Sequence, residues 1–154
     1  MQRYALLLSL LLPATCAIAQ LAPSAPADQA KPLTASQLSA LDSAIAPYVA
    51  QARKSFPAAR ARFLQGLPPG EAFYVTAPLK DANGHVERVF IRVKEIRGMT
   101  ISGQIASKIL LVEGFKAGQA YSLEESDLVD WLISMPDGSE EGNVVGKFLD
   151  TYQP

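Results

Sequence analysis

Phe73-Tyr74-Val75-Thr76-Ala77-Pro78-Leu79-Lys80-Asp81-Ala82-Asn83-Gly84-His85-Val86-Glu87-Arg88-Val89-Phe90-Ile91-Arg92-Val93 decides the fold class. Phe73, Val75 and Ala77 alternate with Tyr74 and Thr76, and Val89, Ile91 and Val93 alternate with Arg88, Phe90, Arg92 and Lys94. A period of two marks strands that lay one face on a core. Between them, Asn83-Gly84 accepts the positive φ angles of a tight turn, so the two strands are predicted to form an antiparallel hairpin.

Working outward toward the C-terminus, Arg97-Gly98 turns the chain into a third strand over 100–106. Residues 109–112 and 120–123 are expected as fourth and fifth strands, punctuated by Glu113-Gly114 and Ala117-Gly118. A helical turn is expected over 124–128, and Trp131-Leu132-Ile133 reads as a further strand with a mostly buried indole. Val144, Val145, Phe148, Leu149 and Tyr152 return to helical spacing, with Asn143 as the expected cap.

Toward the N-terminus, Leu38, Leu41, Ile45, Tyr48, Val49, Ala52, Phe56, Ala59 and Phe63 recur at intervals of three and four, a helical stripe. Thr34 and Gln37 form a capping box at its start, and Gly66 with Pro68-Pro69 ends it. Pro47 and Pro57 leave two readings open: one kinked helix, or consecutive short helices beginning at each proline. The fold class is α+β, an N-terminal helical segment packed on a small antiparallel sheet that could curl into a barrel, with a short closing helix.

Residues 1–19 read as a secretory signal: Arg3, an apolar core from Ala5 to Leu12, and Ala17-Ile18-Ala19 as a small-x-small site, with cleavage expected between Ala19 and Gln20. The apolar run is too short for a permanent span. The alternative use of Cys16, lipidation, fits the preceding Pro13-Ala14-Thr15 poorly. Residues 20–33 are Ala, Pro and small polar groups, a flexible linker by composition, and residues 34–154 form the single expected domain. The protein is therefore expected in the periplasm or outside the cell.

Composition removes whole classes of function. Cys16 is the only cysteine, so the mature chain is expected to have neither disulfide nor thiolate nucleophile. The formal charge of −1 gives no electrostatic reason to expect nucleic acid or an anionic membrane as a partner. Arg53, Lys54, Arg60 and Arg62 read as the solvated face of helices. His85, the only imidazole, reads as a solvated turn residue, and no hydrolase elbow, zinc helix or phosphate loop is present. No cofactor or metal is expected, and the chain is expected to be a monomer.

Oxygen ligands crowd between Asp130 and Asn143, yet a calcium loop starting at Asp137 places Phe148 where the bidentate glutamate belongs. A carboxylate pair drawn from Asp127, Asp130, Asp137, Glu140, Glu141 and Asp150 would suit an envelope hydrolase. Otherwise these groups are a Pro-Asp-Gly turn and solvated glutamates beside the closing helix. The candidate binding surface is Asp130, Trp131, Asp137, Glu140, Glu141, Asn143 and Lys147.

Phe73 to Pro78, the Asp-x-x-Gly hairpin, Val86-Glu87, Ile101-Ser102-Gly103, Gly118, Asp130-Trp131, Asp137-Gly138 and Val145-Gly146 occur in an order that resembles the YegJ-like proteins, domain of unknown function 2314. The end of the chain, from Gly138 to Tyr152, looks like an exported branch of that family. Many relatives carry His-x-Trp where this chain has Arg88-Val89-Phe90, and Gly-Asp where it has Gly118-Gln119. The resemblance implies a small bacterial α+β domain and transfers no catalytic residue. The expected function is a non-enzymatic binding module contacting a protein or envelope component. The alternatives are a small hydrolase using a carboxylate pair and a toxin-neutralising inhibitor or immunity protein.

Overall fold

The computed structural model describes residues 35–152, so the expected signal segment, the linker and the Thr34 cap lie outside the described residues. The chain runs α1 (Ala35–Gln65), β1 (Ala72–Lys80), β2 (Val86–Arg97), β3 (Thr100–Ile105), β4 (Ala120–Glu124), a 3₁₀ turn at Glu125–Asp127, β5 (Asp130–Ser134), β6 (Glu140–Gly142) and α2 (Val144–Leu149). The strands form one antiparallel sheet in the order β4-β3-β2-β1-β5-β6. The class is α+β as expected, but the sheet stays open, which corrects the barrel-like closure.

The helical stripe is one continuous helix, not consecutive short ones. Pro47 and Pro57 are both exposed, as are Ser43 and Arg53 four residues earlier, whose carbonyls lose their helical partners to the prolines. Both prolines thus fall on the exposed side of the helix, and the buried face keeps its phase. Ala52, Phe56 and Ala59 are buried against the sheet, where Phe73 meets Phe56 at 6.2 Å and Phe63 at 5.4 Å between ring centroids.

The core face of the sheet is the face the alternation marked: Phe73, Val75, Ala77 and Leu79 of β1 beside Val89, Ile91 and Val93 of β2. The hairpin joining them forms, but through a longer turn than Asn-Gly alone would build. The Gly84 N–H donates to the Asp81 carbonyl at 3.1 Å, and Gly84 takes the positive φ of 86° while Asn83 does not. Pro78 sits inside β1 without breaking the ladder. The Thr76 carbonyl accepts from Val129 on the β5 side, so Pro78 faces the same way, past the last β1–β5 pair.

Strand β2 runs on to Arg97 because a bulge between Val93 and Glu95 shifts the alternation by one, returning Ile96 to the core. The expected strand at 109–112 does not form; that apolar run belongs to the loop between β3 and β4. The expected fifth strand is therefore β4, and the acidic loop contains an unexpected short strand, β6. Three arginines expected as a solvated row fasten α1 instead: Arg53 Nε donates to the Leu128 carbonyl at 2.8 Å, Arg60 to the Gly98 carbonyl at 2.8 Å, and Arg62 pairs with Glu71 and Glu141.

Candidate functional site

The segment from Asp130 to Lys147 folds as a β5–β6 hairpin followed by α2, and its interior half is structural. Trp131 is buried beneath α1, with its ring edge-on to Phe73 and its Nε1 donating to the Ala52 carbonyl at 3.1 Å and to Ser55 Oγ at 3.0 Å. Asp130 is buried too. Its Oδ1 accepts from its neighbour, the Trp131 N–H, at 2.8 Å, and its Oδ2 accepts from the N–H groups of Val145 at 2.7 Å and Gly146 at 3.3 Å. Burial pushes the Asp130 carboxyl above its ordinary pKa, and these N–H donors pull in the opposite direction.

The cap of α2 is thus Asp130, reaching across from β5, and not Asn143. Asn143 occupies the capping position in a left-handed conformation (φ 55°, ψ 45°) and makes no capping bond; its side-chain amide donates to Glu140 Oε2 at 2.7 Å instead. Gly142, at φ 81°, and Asn143 together reverse the chain over Trp131, whose carbonyl accepts the Asn143 N–H at 2.7 Å.

The outer half is exposed but also engaged. Asp137 accepts from the N–H and Oγ of Ser139 at 2.9 and 2.6 Å, which closes the turn and lowers its pKa, the side-chain bond from Ser139 first among the causes. Glu141 pairs with Arg62, which also holds Glu71 at 2.6 Å. The Lys147 ammonium donates to the Gly142 carbonyl at 2.8 Å. Asp130, Trp131 and Asn143 are therefore interior members of the candidate set, while Asp137, Glu141 and Lys147 reach the surface and Glu140 is half-buried. Asp127 and Asp150 are exposed on other turns.

Two concavities adjoin this segment. The first, about 40 Å³, lies between β1, β2, β5 and α2, walled by Thr76, Arg88, Phe90, Asp130 and Asn143; it has room for about one water molecule. The second is an open groove of about 440 Å³ between α1 and α2, lined by Tyr48, Gln51, Gly142, Lys147, Phe148 and Thr151. Its wall is aromatic, since Tyr48 stacks on Phe148 at 4.2 Å and Phe148 touches Tyr152 at 5.2 Å. Lys147 alone joins the groove to the candidate set. Tyr48 and Phe148 were visible only as members of apolar stripes, and nothing in the sequence set Gln51 and Thr151 apart.

His85 is oriented, contrary to the expectation of a free turn residue. Its Nδ1 lies 2.9 Å from Asp81 Oδ2, although half of the ring is exposed. Burial opposes ionisation of Asp81, but the His85 ring, the N–H groups of Glu113 and His85, and the His85 charge outweigh it and hold Asp81 at a pKa of about 2. Among the described residues no hydrogen bond from a serine or threonine hydroxyl to this pair completes a nucleophilic triad. Nor is any group of three or more His, Cys, Asp or Glu side chains among them placed to hold a metal ion. No described helix is long and apolar enough to cross a membrane.

An open six-stranded antiparallel sheet with one long helix across its core face and a short helix closing its end defines a small α+β domain with a surface groove. The chain belongs to the family DUF2314, described as an uncharacterized protein conserved in bacteria, whose model matches residues 42–150. No curated protein and no solved structure matches the chain.

Proposed function

We propose that the protein is a non-enzymatic binding module, exported to the periplasm or cell envelope, that engages its partner through the groove between α1 and α2. The observation that carries this reading is the commitment of the acidic side chains. Asp130 is spent on the N–H groups of Val145 and Gly146, Asp137 on Ser139, Glu140 on Asn143 and Glu141 on Arg62. Those four of the six candidate carboxylates are thus tied up internally, and the other two, Asp127 and Asp150, lie exposed on separate turns, whereas a hydrolase needs two carboxylates free to face each other across a cleft. The groove, in contrast, combines aromatic surface with the Gln51 amide, the Thr151 hydroxyl and the Lys147 ammonium, a mixture that suits recognition of a polar chain segment. Export rests on residues 1–19.

Protein recovered from the envelope of its host, with an intact mass showing whether the chain starts at Gln20, supplies the material for the test. Immobilised, it should retain one envelope component. Gln51→Arg with Lys147→Glu should lower that retention about tenfold or more, as loss of central contacts does, while costing stability no more than the exposed bond from Lys147 to the Gly142 carbonyl, about 0.5 to 1 kcal/mol. Undiminished retention by the double variant, or a protein found only in the cytoplasm, sinks the reading.

A further inference from the structure

The loop between β3 and β4, residues 106–119, is the longest connection among the described residues, and it carries two strongly exposed leucines, Leu110 (51 % exposed) and Leu111 (43 %). A long loop of this kind usually either serves a function or stays loose. This one is not loose. The buried carboxylate of Glu87 accepts from the N–H groups of Leu110 at 3.0 Å, Leu111 at 2.8 Å and Val112 at 3.1 Å, and Asp81 accepts from Glu113 at 3.1 Å.

Four consecutive N–H groups therefore point at two carboxylates belonging to the β1–β2 hairpin. Such a concavity of N–H groups ordinarily takes an anion, and here the protein supplies its own. Val112 enters the core, while the two leucines are left outside on a fixed backbone. Docking them requires little further ordering.

The charges around them are mostly positive. Lys108 and Lys116 are exposed on either side. Glu113 is the one acidic residue of the loop, its Oε2 3.4 Å from the Asn83 amide; Asp81 and Glu87 are turned inward.

We infer that this loop is a docking surface for an anionic phospholipid bilayer, with Leu110 and Leu111 entering the boundary between headgroups and acyl chains while Lys108 and Lys116 meet the phosphates. One signal alone holds a protein on a bilayer only marginally and firmer attachment takes two, and the loop holds an apolar and a cationic one. Protein interfaces are depleted in lysine and centred on aromatic residues and arginine, so a lipid surface fits this composition better. The loop shares no residue with the α1–α2 groove, and the inference stands apart from that reading.

Flotation with vesicles tests it. The full protein should float with vesicles mixing phosphatidylglycerol and phosphatidylcholine, should stay behind with phosphatidylcholine alone, and should release with salt. Leu110→Ser with Leu111→Ser should lower the partition coefficient about tenfold or more. Lys108→Gln with Lys116→Gln should lower it about tenfold. Met99→Ser, an exposed apolar side chain on the β2–β3 turn, is the control and should change nothing. All variants carry the same N-terminus, so differences among them read the loop. Absence of flotation, equal flotation with phosphatidylcholine, or indifference to the leucine pair overturns the proposal. If the leucine variant melts early, the exposed lysine pair decides in its place.

Discussion

Trp131 Nε1 lies 3.1 Å from the carbonyl oxygen of Ala52, a hydrogen bond between β5 and the middle of α1 that no sequence neighbourhood could provide. The same N–H also reaches Ser55 Oγ. Buried indoles need a partner for this N–H, and here the partner is the helix that covers the sheet. Trp131→Ala should therefore cost about 3 to 5 kcal/mol in urea unfolding, from the cavity and the lost bond together. Trp131→Phe keeps most of the volume and should cost only about 1 to 2 kcal/mol. An alanine variant with the parent's midpoint would mean that the indole is not packed as described.

Glu87 is the hub of the β3–β4 loop. Replacing its carboxylate by an amide removes a charged acceptor and sets an NH₂ group against N–H donors, so Glu87→Gln should destabilise by about 2 to 3 kcal/mol. A more specific expectation concerns hydrogen exchange. The amides of Leu110, Leu111 and Val112 should lose protection in the variant, whereas those of β4 should not. Uniform loss across the domain would show that Glu87 supports the fold generally and not this loop.

What the sequence disclosed, and what it withheld, follows from the range of each interaction. Alternation is local, so β1, the start of β2 and the burial of Trp131 could be read directly from the residues. The rest of β2 was hidden because the bulge after Val93 breaks the alternation from which strands are read. The run at 109–112 looked like a strand because it is apolar, but its N–H groups are taken by Glu87, more than twenty residues away. Asn143 looked like a cap because its residue type is right, and the true cap, Asp130, lies thirteen residues upstream on a strand. The candidate site was legible in the same uneven way. Lys147 and the glutamates stood out by charge, but a groove wall made of Tyr48, Gln51 and Thr151 exists only once α1 and α2 are packed together.

Gly142 is held by two independent constraints. Its φ of 81° is one that residues with a Cβ rarely adopt, and a Cβ there would collide with the Trp131 carbonyl and lie 2.8 Å from its ring. Gly142→Ala should cost about 2 to 4 kcal/mol, combining backbone strain with overpacking. Gly138→Ala makes the comparison informative, since Gly138 has φ 85° but open space around it. That variant should lose only about 1 to 2 kcal/mol, the conformational part alone. Equal losses at the two sites would remove the role assigned to the close approach to Trp131.

The pair of Asp81 and His85 makes a prediction about acid. Burial works against the Asp81 carboxylate, yet the bonds from the His85 ring and from the N–H groups of Glu113 and His85 hold its folded pKa at about 2. An unfolded aspartate titrates near 3.9. A folded pKa below the unfolded one means that the unfolded chain binds the proton more readily, so this carboxylate favours the fold in full above about pH 4 and loses that contribution as pH falls through about 2. Asp130, with its pKa raised chiefly by burial, acts oppositely: its burial opposes folding when it is ionised, and protonation relieves that as pH falls. Asp81→Asn should consequently melt below the parent at neutral pH, with the gap between them closing from about pH 4 down to pH 2. Melting the two proteins side by side across that range checks it, with the Asp130 contribution common to both. A gap that stays constant with pH would show that the asparagine variant suffers from lost shape or turn geometry, and that the ionised carboxylate is not what ties the β1–β2 turn to the loop.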